Sequence, residues 1–401
     1  MSTYELFAEE YVRLAWRIER HAEGFVDGYY GPEELKAQSA DEAPREIPAL
    51  LDDVARLNGL LEAAVMDDTR RDYLTRQVRA VHTVLRRLGG EELSLQEEAQ
   101  GCFDSIPQRV PESEFEAGLH ELDALLPGHG DLPERQRQWN RQFELPQERA
   151  RPVLETALAE VRRRSQALLE LPEGECVEIG LVSDRPWGGY NWYLGHNRSR
   201  IEINTDLHVR ADAALMLVAH EGYPGHHTEH AIKEQRWYRQ AGRLEHSILL
   251  LLAPESFVAE GIATVALDVI FPDRSERAEW LRTALYPQAC IQVDVDLQMR
   301  LEQAAEKLDG VMGNAAFLLH EDQRPSEEVL KYLQQYGLQT EKEAQQSLRF
   351  LSNSLYRAYI FNYADGRRLL KKAFAGGGVG DVFRWALSDP VTPSAILARC
   401  A

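Results

Sequence analysis

The sequence predicts a mainly α protein with one small β-sheet, and three observations carry that prediction. Apolar residues recur at three- and four-residue intervals from Tyr4 to about Arg87, as in Leu51, Val54, Leu57, Leu60 and Leu61, which places them on one face of a helix. The same spacing returns from Ala211 onward. Between these regions, residues 176–204 hold the one convincing strand signal: Val- and Ile-rich Cys176–Val182, then Arg200–Asn204, where Ile alternates with polar residues.

The amino-terminal helices are interrupted once, at residues 24–32 (GFVDGYYGP), where glycines, aromatics and an acid concentrate in a non-helical stretch. That segment either lines a cleft or forms a turn with Tyr29 and Tyr30 on the core. Prolines at 107, 111, 127, 133 and 146 separate shorter helices, and a longer helix is expected from about Gln147 to Leu171, where Pro172 and Gly174 stop it. A turn at residues 187–189 joins strands in a sheet of two or three. Helices are then expected over 253–271, 280–308, 326–336 and 340–374, before the glycine run Gly376–Gly378. No repeat of fixed period is present.

A chain of 401 residues, 44% hydrophobic, can bury one large core or two moderate ones without a disulfide or metal staple. Sixty-five acidic against 45 basic residues give a formal charge of −20, which repels a phosphate backbone and argues against a nucleic-acid partner. The cysteines at 102, 176, 290 and 400 show no paired spacing and read as reduced thiols. Charges at Glu5, Glu9, Glu10, Arg13 and Arg17 interrupt the amino terminus, unlike a signal peptide. The longest apolar runs, such as Ile248–Ala253, fall far short of the roughly 20 residues that span a bilayer. A soluble protein of the cytoplasm, with no membrane partner, is the expectation.

Chemistry concentrates at residues 211–230 (ADAALMLVAHEGYPGHHTEH), where an apolar helix leads into His220 and Glu221, followed by Pro224, Gly225, His226 and His227. Zinc takes neutral imidazoles and keeps a position open for water, with a carboxylate nearby as proton acceptor. On a straight helix, residues six apart point about 240° from one another and residues seven apart lie about 10 Å apart along the axis. Neither His226 nor His227 could then share an ion with His220. Pro224 removes a helix hydrogen bond to residue 220 and clashes with that turn, so the helix must open there; Gly225 is expected to adopt a backbone conformation closed to other residues. His226 needs the smaller bulge and is the expected second ligand.

A carboxylate ligand is expected from residues 254–271 (PESFVAEGIATVALDVIF). Glu260 sits in an apolar helix, where burying it is costly unless a cation meets it; its rival Glu255 better suits the first helical turn. Tyr190–Tyr193, with the strand 200–204, offer an edge to which an extended peptide could add, or else belong to the core. Arg357, Tyr359, Tyr363, Arg367 and Arg368 are placed on one long helix, where a tyrosine could stabilise an oxyanion and an arginine could hold a substrate carboxylate, or where they form a solvated face.

These residues resemble the bacterial family DUF885, which carries a His-Glu-x-x-Pro-Gly-His signature and is similar to the thermolysin-like, glutamate-ligand zinc metallopeptidases. His220, Glu221, Pro224, Gly225 and His226 match the signature, with His227 extending it. Glu260 and Gly261 match a later Glu-Gly pair, with Ile262 where tryptophan is usual, and Tyr363–Gly366 and the tail resemble the family's own. The match covers roughly residues 175–401. The resemblance implies one zinc ion on His220, His226 and Glu260, Glu221 as general base, and a two-lobed helical fold with a small sheet beside the cleft. It suggests an amino-terminal helical lobe (1–165) and a catalytic lobe (166–401) in one compact unit. Peptide hydrolysis is the expected activity, with Tyr363 on the oxyanion and Tyr190, Arg357 and Arg367 as substrate-binding candidates; the arginines would favour a carboxypeptidase or oligopeptidase. A metal-dependent hydrolase of non-peptide amides or esters and an inactive helical scaffold are the alternatives.

Overall fold

The computed structural model describes residues 2–185, 188–206 and 208–400. Helices dominate, with two small sheets between them. The first helix, Thr3–Glu19, starts at a capping box in which Ser2 and Glu5 satisfy each other's backbone N–H groups. The expected long helix runs Gln147–Leu168. Among the described residues, no helix is long and apolar enough to cross a membrane.

Two expected long helices are broken. The run over 280–308 loosens at Leu281–Leu285, stops after Tyr286–Ala289 where Cys290 turns left-handed (φ 56°), and restarts as Val295–Ala305 under an Asp294 cap. The run over 340–374 is two helices, Glu341–Ser352 and Phe361–Gly377. Asn353 causes that second break: its side chain accepts from the Leu355 N–H at 2.8 Å, giving the backbone a local alternative to the helix. Arg357 and Tyr359 therefore lie in the turn before the last long helix, not on it.

The principal sheet comprises β2 (Cys176–Val182), β3 (Gly189–Gly195) and β4 (Arg198–Asn204) in the order β2-β4-β3, with β2 parallel and β3 antiparallel to β4. The turn expected at 187–189 includes Trp187, which lies outside the described residues. Ile201 and Ile203 of β4 pack with Val153, Ala157 and Val161 of the long helix and with Leu215 and Val218, so one face of the sheet is buried and β3 forms an edge. The non-helical stretch at 24–32 contributes another strand, β1 (Val26–Tyr29), antiparallel to β5 (Ile248–Leu250). A register shift between Val26 and Gly28 leaves Asp27 as the bulged residue.

The helix Pro254–Ile270 is the centre of the molecule. Phe257 joins the core built from the amino-terminal helices, Ala266 and Ile270 join the core under the sheet, and Val258, Ile262, Val265 and Val269 join the carboxyl-terminal helices. A helix apolar on every side has to be buried on every side, at roughly 1.5–3 kcal/mol per large side chain. It crosses Phe361–Gly377 backbone on backbone: a Cβ on Gly366 would lie 2.8 Å from the Gly261 Cα, and one on Gly261 would lie 3.0 Å from the Gly366 carbonyl oxygen.

Candidate metal centre

The motif helix Ala211–Glu221 ends at Gly222, and a second helix, His226–Lys233, begins four residues on. The link between them is tightly held. The N–H groups of Gly222 and Tyr223 both bond the Val218 carbonyl, at 3.0 and 3.1 Å, while Pro224 has none to give and Gly225 reaches back to the Ala219 carbonyl at 3.0 Å. Gly225 pairs φ −77° with ψ −137°, a combination outside the extended and helical regions open to other residues, as its place after Pro224 leads one to expect. The second requirement is space: a Cβ there would lie 1.8 Å from the His220 carbonyl oxygen and 2.5 Å from that of Ala219. Folding the chain this closely over the last turn brings His226 round to His220.

The two imidazoles meet at a ring-centroid separation of 4.8 Å and 87° between planes. Glu260 faces both, its Oε2 lying 3.5 Å from His220 Nε2 and its Oε1 3.7 Å from His226 Nε2. Among the described residues these three form the one group of His, Cys, Asp or Glu whose ligand atoms converge, all lying within 4.8 Å of one another. Ligands about 2.0–2.2 Å from a tetrahedral ion stand roughly 3.4 Å apart, so the residues fit a divalent cation with slight contraction. A second observation agrees. Glu260 is only 4% exposed, and while its Oε1 accepts from the Tyr359 hydroxyl at 2.6 Å, its Oε2 is buried without a hydrogen-bond partner, an expensive arrangement unless a cation completes it.

Burial alone would lower the pKa of His220, but the facing Glu260 carboxylate and the charge of Glu221 outweigh it and hold the imidazole at about 8, whereas burial takes His226 down to about 4. His227 turns the other way, Nδ1 to Ser199 at 2.8 Å and Nε2 to Glu175 at 3.1 Å. Glu255 occupies the first turn of its helix and binds the Tyr73 hydroxyl at 2.9 Å and Lys233 at 3.5 Å.

No family model and no curated protein matches this chain. Its fold is shared with solved bacterial proteins. A presumed lipoprotein from Colwellia psychrerythraea matches 92% of this chain at 17% identity with a TM-score of 0.53, and the chain spans 62% of that protein's length. A presumed lipoprotein of unknown function from Shewanella oneidensis matches 92% of this chain at 11% identity and a TM-score of 0.52, over 78% of its own length. An M32 carboxypeptidase from Deinococcus radiodurans R1 superposes less closely, with a TM-score of 0.42 at 13% identity over 99% of this chain and 95% of that one.

Around the three convergent side chains, Glu221 is 8% exposed, and burial pushes its carboxyl up to about 7, with the charges of Glu260 and Asp27 acting the same way against His220. The Asn191 side-chain amide donates to the Glu221 carbonyl, tying β3 to the motif. The Tyr363 ring stacks near His220, centroids 6.5 Å apart and 21° between planes. Burial, reinforced by Glu260 and Glu221, raises its pKa well above 10, so the phenol stays a donor. On β3, Tyr190 donates its hydroxyl to Asp27.

The two arginines expected to bind substrate have partners of their own. Arg357 is held by Glu98, Nε to Oε2 at 2.7 Å, and by the Leu93 carbonyl at 3.3 Å. Arg367 is shared among Asp309, Asp268 and Glu306. Both guanidiniums are engaged in ion pairs with acids outside the metal centre.

Two residues of the centre escaped the sequence reading in these roles. Tyr359 was expected on a helix as a possible oxyanion donor and instead orients Glu260; the segment at 24–32 held an acid in a non-helical break, which was the one signal for Asp27. Tyr359→Phe should weaken divalent-cation affinity about 10- to 100-fold, as loss of a partner to a ligating carboxylate does. Competition against a calibrated chelator measures it, and affinity within twofold of wild type would remove Tyr359 from the centre.

Proposed function

We propose that the chain is a zinc-dependent hydrolase cleaving peptides, with one zinc ion on His220, His226 and Glu260, and that it belongs with the DUF885 proteins it resembles. The observation that carries this reading is the convergence of two imidazoles and a buried glutamate whose Oε2 has no other partner. A divalent cation bound there would act as a Lewis acid toward a substrate carbonyl and toward water.

The residues of the chain supply the remainder. Glu221, buried beside His220 with its carboxyl raised toward neutrality, accepts the proton of the attacking water and returns it to the leaving amine, a task suited to a group titrating near the working pH. The Tyr363 hydroxyl donates a hydrogen bond to the oxyanion of the tetrahedral intermediate. Tyr359 fixes the Glu260 carboxylate through Oε1 and leaves Oε2 directed at the histidines. The edge strand β3 lies beside Glu221 and can align an extended substrate.

Metal analysis after purification without chelators tests the reading. Wild type should carry close to one zinc per chain, and His220→Ala, His226→Ala and Glu260→Ala should each fall below a tenth of that. A wild type that neither retains nor takes up a stoichiometric divalent cation ends the proposal, as does full loading of all three variants.

A further inference from the structure

We propose that Asp27 binds an ammonium group of the substrate, so that the preferred peptides present a free amine close to the bond cleaved. This inference rests on the hydrolase reading above and gives it a substrate class.

The first support is how Asp27 is presented. Between the pairs Val26↔Leu250 and Gly28↔Leu249 the β1–β5 ladder carries one residue too many, and Asp27 is that residue. A bulge re-aims the side chain of the extra residue and frees it from the alternation of its strand. Its neighbours do not follow it outward, since Phe25 is fully buried and Gly28 lies so close to Leu249 that a Cβ would meet its Cδ1 at 3.0 Å.

The second support is the company the carboxylate keeps. The residue as a whole is exposed, but its carboxyl, which accepts the Tyr190 hydroxyl, is raised above the ordinary value by burial and by Glu260 in spite of that bond, and among the described residues no lysine or arginine pairs with it. Several buried or half-buried acids are matched by bases: Glu98 has Arg87 and Arg357, Asp309 has Arg367, and Glu229 and Glu255 share Lys233. Asp27 is held in place by a phenol without being neutralised, the state of a carboxylate that awaits a cation.

The third support is location. Asp27 accepts from Tyr190 on β3, and the next residue of that strand, Asn191, donates to the Glu221 carbonyl, so the carboxylate is two side-chain bonds from the metal centre. A single carboxylate with phenols around it is a poor donor set for a second metal and a good one for an ammonium, which takes a charge-assisted hydrogen bond from the acid and rests against aromatic faces. Tyr190, with Trp192 at 4.7 Å between ring centroids, supplies such faces.

Steady-state kinetics of the zinc-loaded full chain decide the matter, on matched peptides with a free or acetylated amino terminus, each with and without a lysine near the scissile bond. In wild type, removing the amine should raise KM about 10- to 100-fold, the range of a charge-assisted hydrogen bond, with kcat changed less. If acetylated peptides lose this preference regardless of lysine, the ammonium is the amino terminus; if lysine restores it, the ammonium is a side chain. Asp27→Asn should impose the same KM penalty on amine-bearing peptides and abolish the distinction between free and acetylated ones, and Asp27→Glu should recover part of it. Wild type cleaving all peptides with KM within twofold, or Asp27→Asn keeping the discrimination, overturns the inference while leaving the hydrolase reading intact. Zinc-loaded wild type cleaving none of them removes both.

Discussion

Glu221→Gln yields a protein that keeps its zinc and hydrolyses peptides about 10²- to 10⁴-fold more slowly than wild type, the usual contribution of a general base. Glutamine preserves the shape of the side chain and leaves the bond from Asn191 to the residue 221 carbonyl untouched. It differs only in being unable to accept a proton. Because Glu221 is not among the three convergent ligands, metal content and activity should separate in this variant, whereas they fall together when His220, His226 or Glu260 is replaced. The experiment is turnover and zinc stoichiometry on the same sample. Activity within tenfold of wild type at full metal loading assigns the proton transfer to another group.

Gly225→Ala should lose metal binding and fold stability together. The added methyl would have to occupy a point 1.8 Å from the His220 carbonyl oxygen. Nothing there is the yielding tip of a side chain; the obstacle is main chain, itself placed by the Val218 and Ala219 carbonyl bonds of the link. The link must open, and His226 moves away from His220 as it does. A cost of about 3 kcal/mol or more is expected, at or beyond the upper end for overpacking, with zinc affinity down at least about 100-fold, since ligation tolerates only a few tenths of an ångström. Thermal melting with and without zinc, and chelator competition, measure the two effects. A Gly225→Ala protein that melts and binds zinc like wild type would mean that the chain does not fold over residue 220 in this way.

What could be read from the sequence, and what could not, divides along physical lines. The helical layers, the sheet at 176–204 and the opening of the motif helix at Pro224 are consequences of short-range pattern, and pattern is visible in a single chain. That Asn353 would cut one helix into two depended on a side-chain bond to the next backbone but one, which competes with helix formation too closely for periodicity to reveal. β1 and β5 are four and three residues long, too short for a period of two to stand out. The site divides similarly. His220 and Glu260 are convergent candidates because an apolar helix makes any polar residue conspicuous. The opposite directions of His226 and His227 depend on Glu175, a partner 52 residues away in the chain. Arg357 looked available because Glu98, which holds it, is 259 residues distant. Long-range pairing of charges leaves no local mark, and that is where the expected substrate clamp was lost.

At Gly261 and Gly366 two helices touch without any side chain between them to serve as a cushion. Tilting or sliding either one would drive main-chain atoms together, so Glu260 and Tyr363 move as a single block. Any yielding toward a bulky substrate would fall to the opposite side, where Asp27 rides on a four-residue strand of a two-stranded sheet. On the hydrolase reading proposed above, the spacing of these groups would thereby be insulated from movements of the side that meets the substrate.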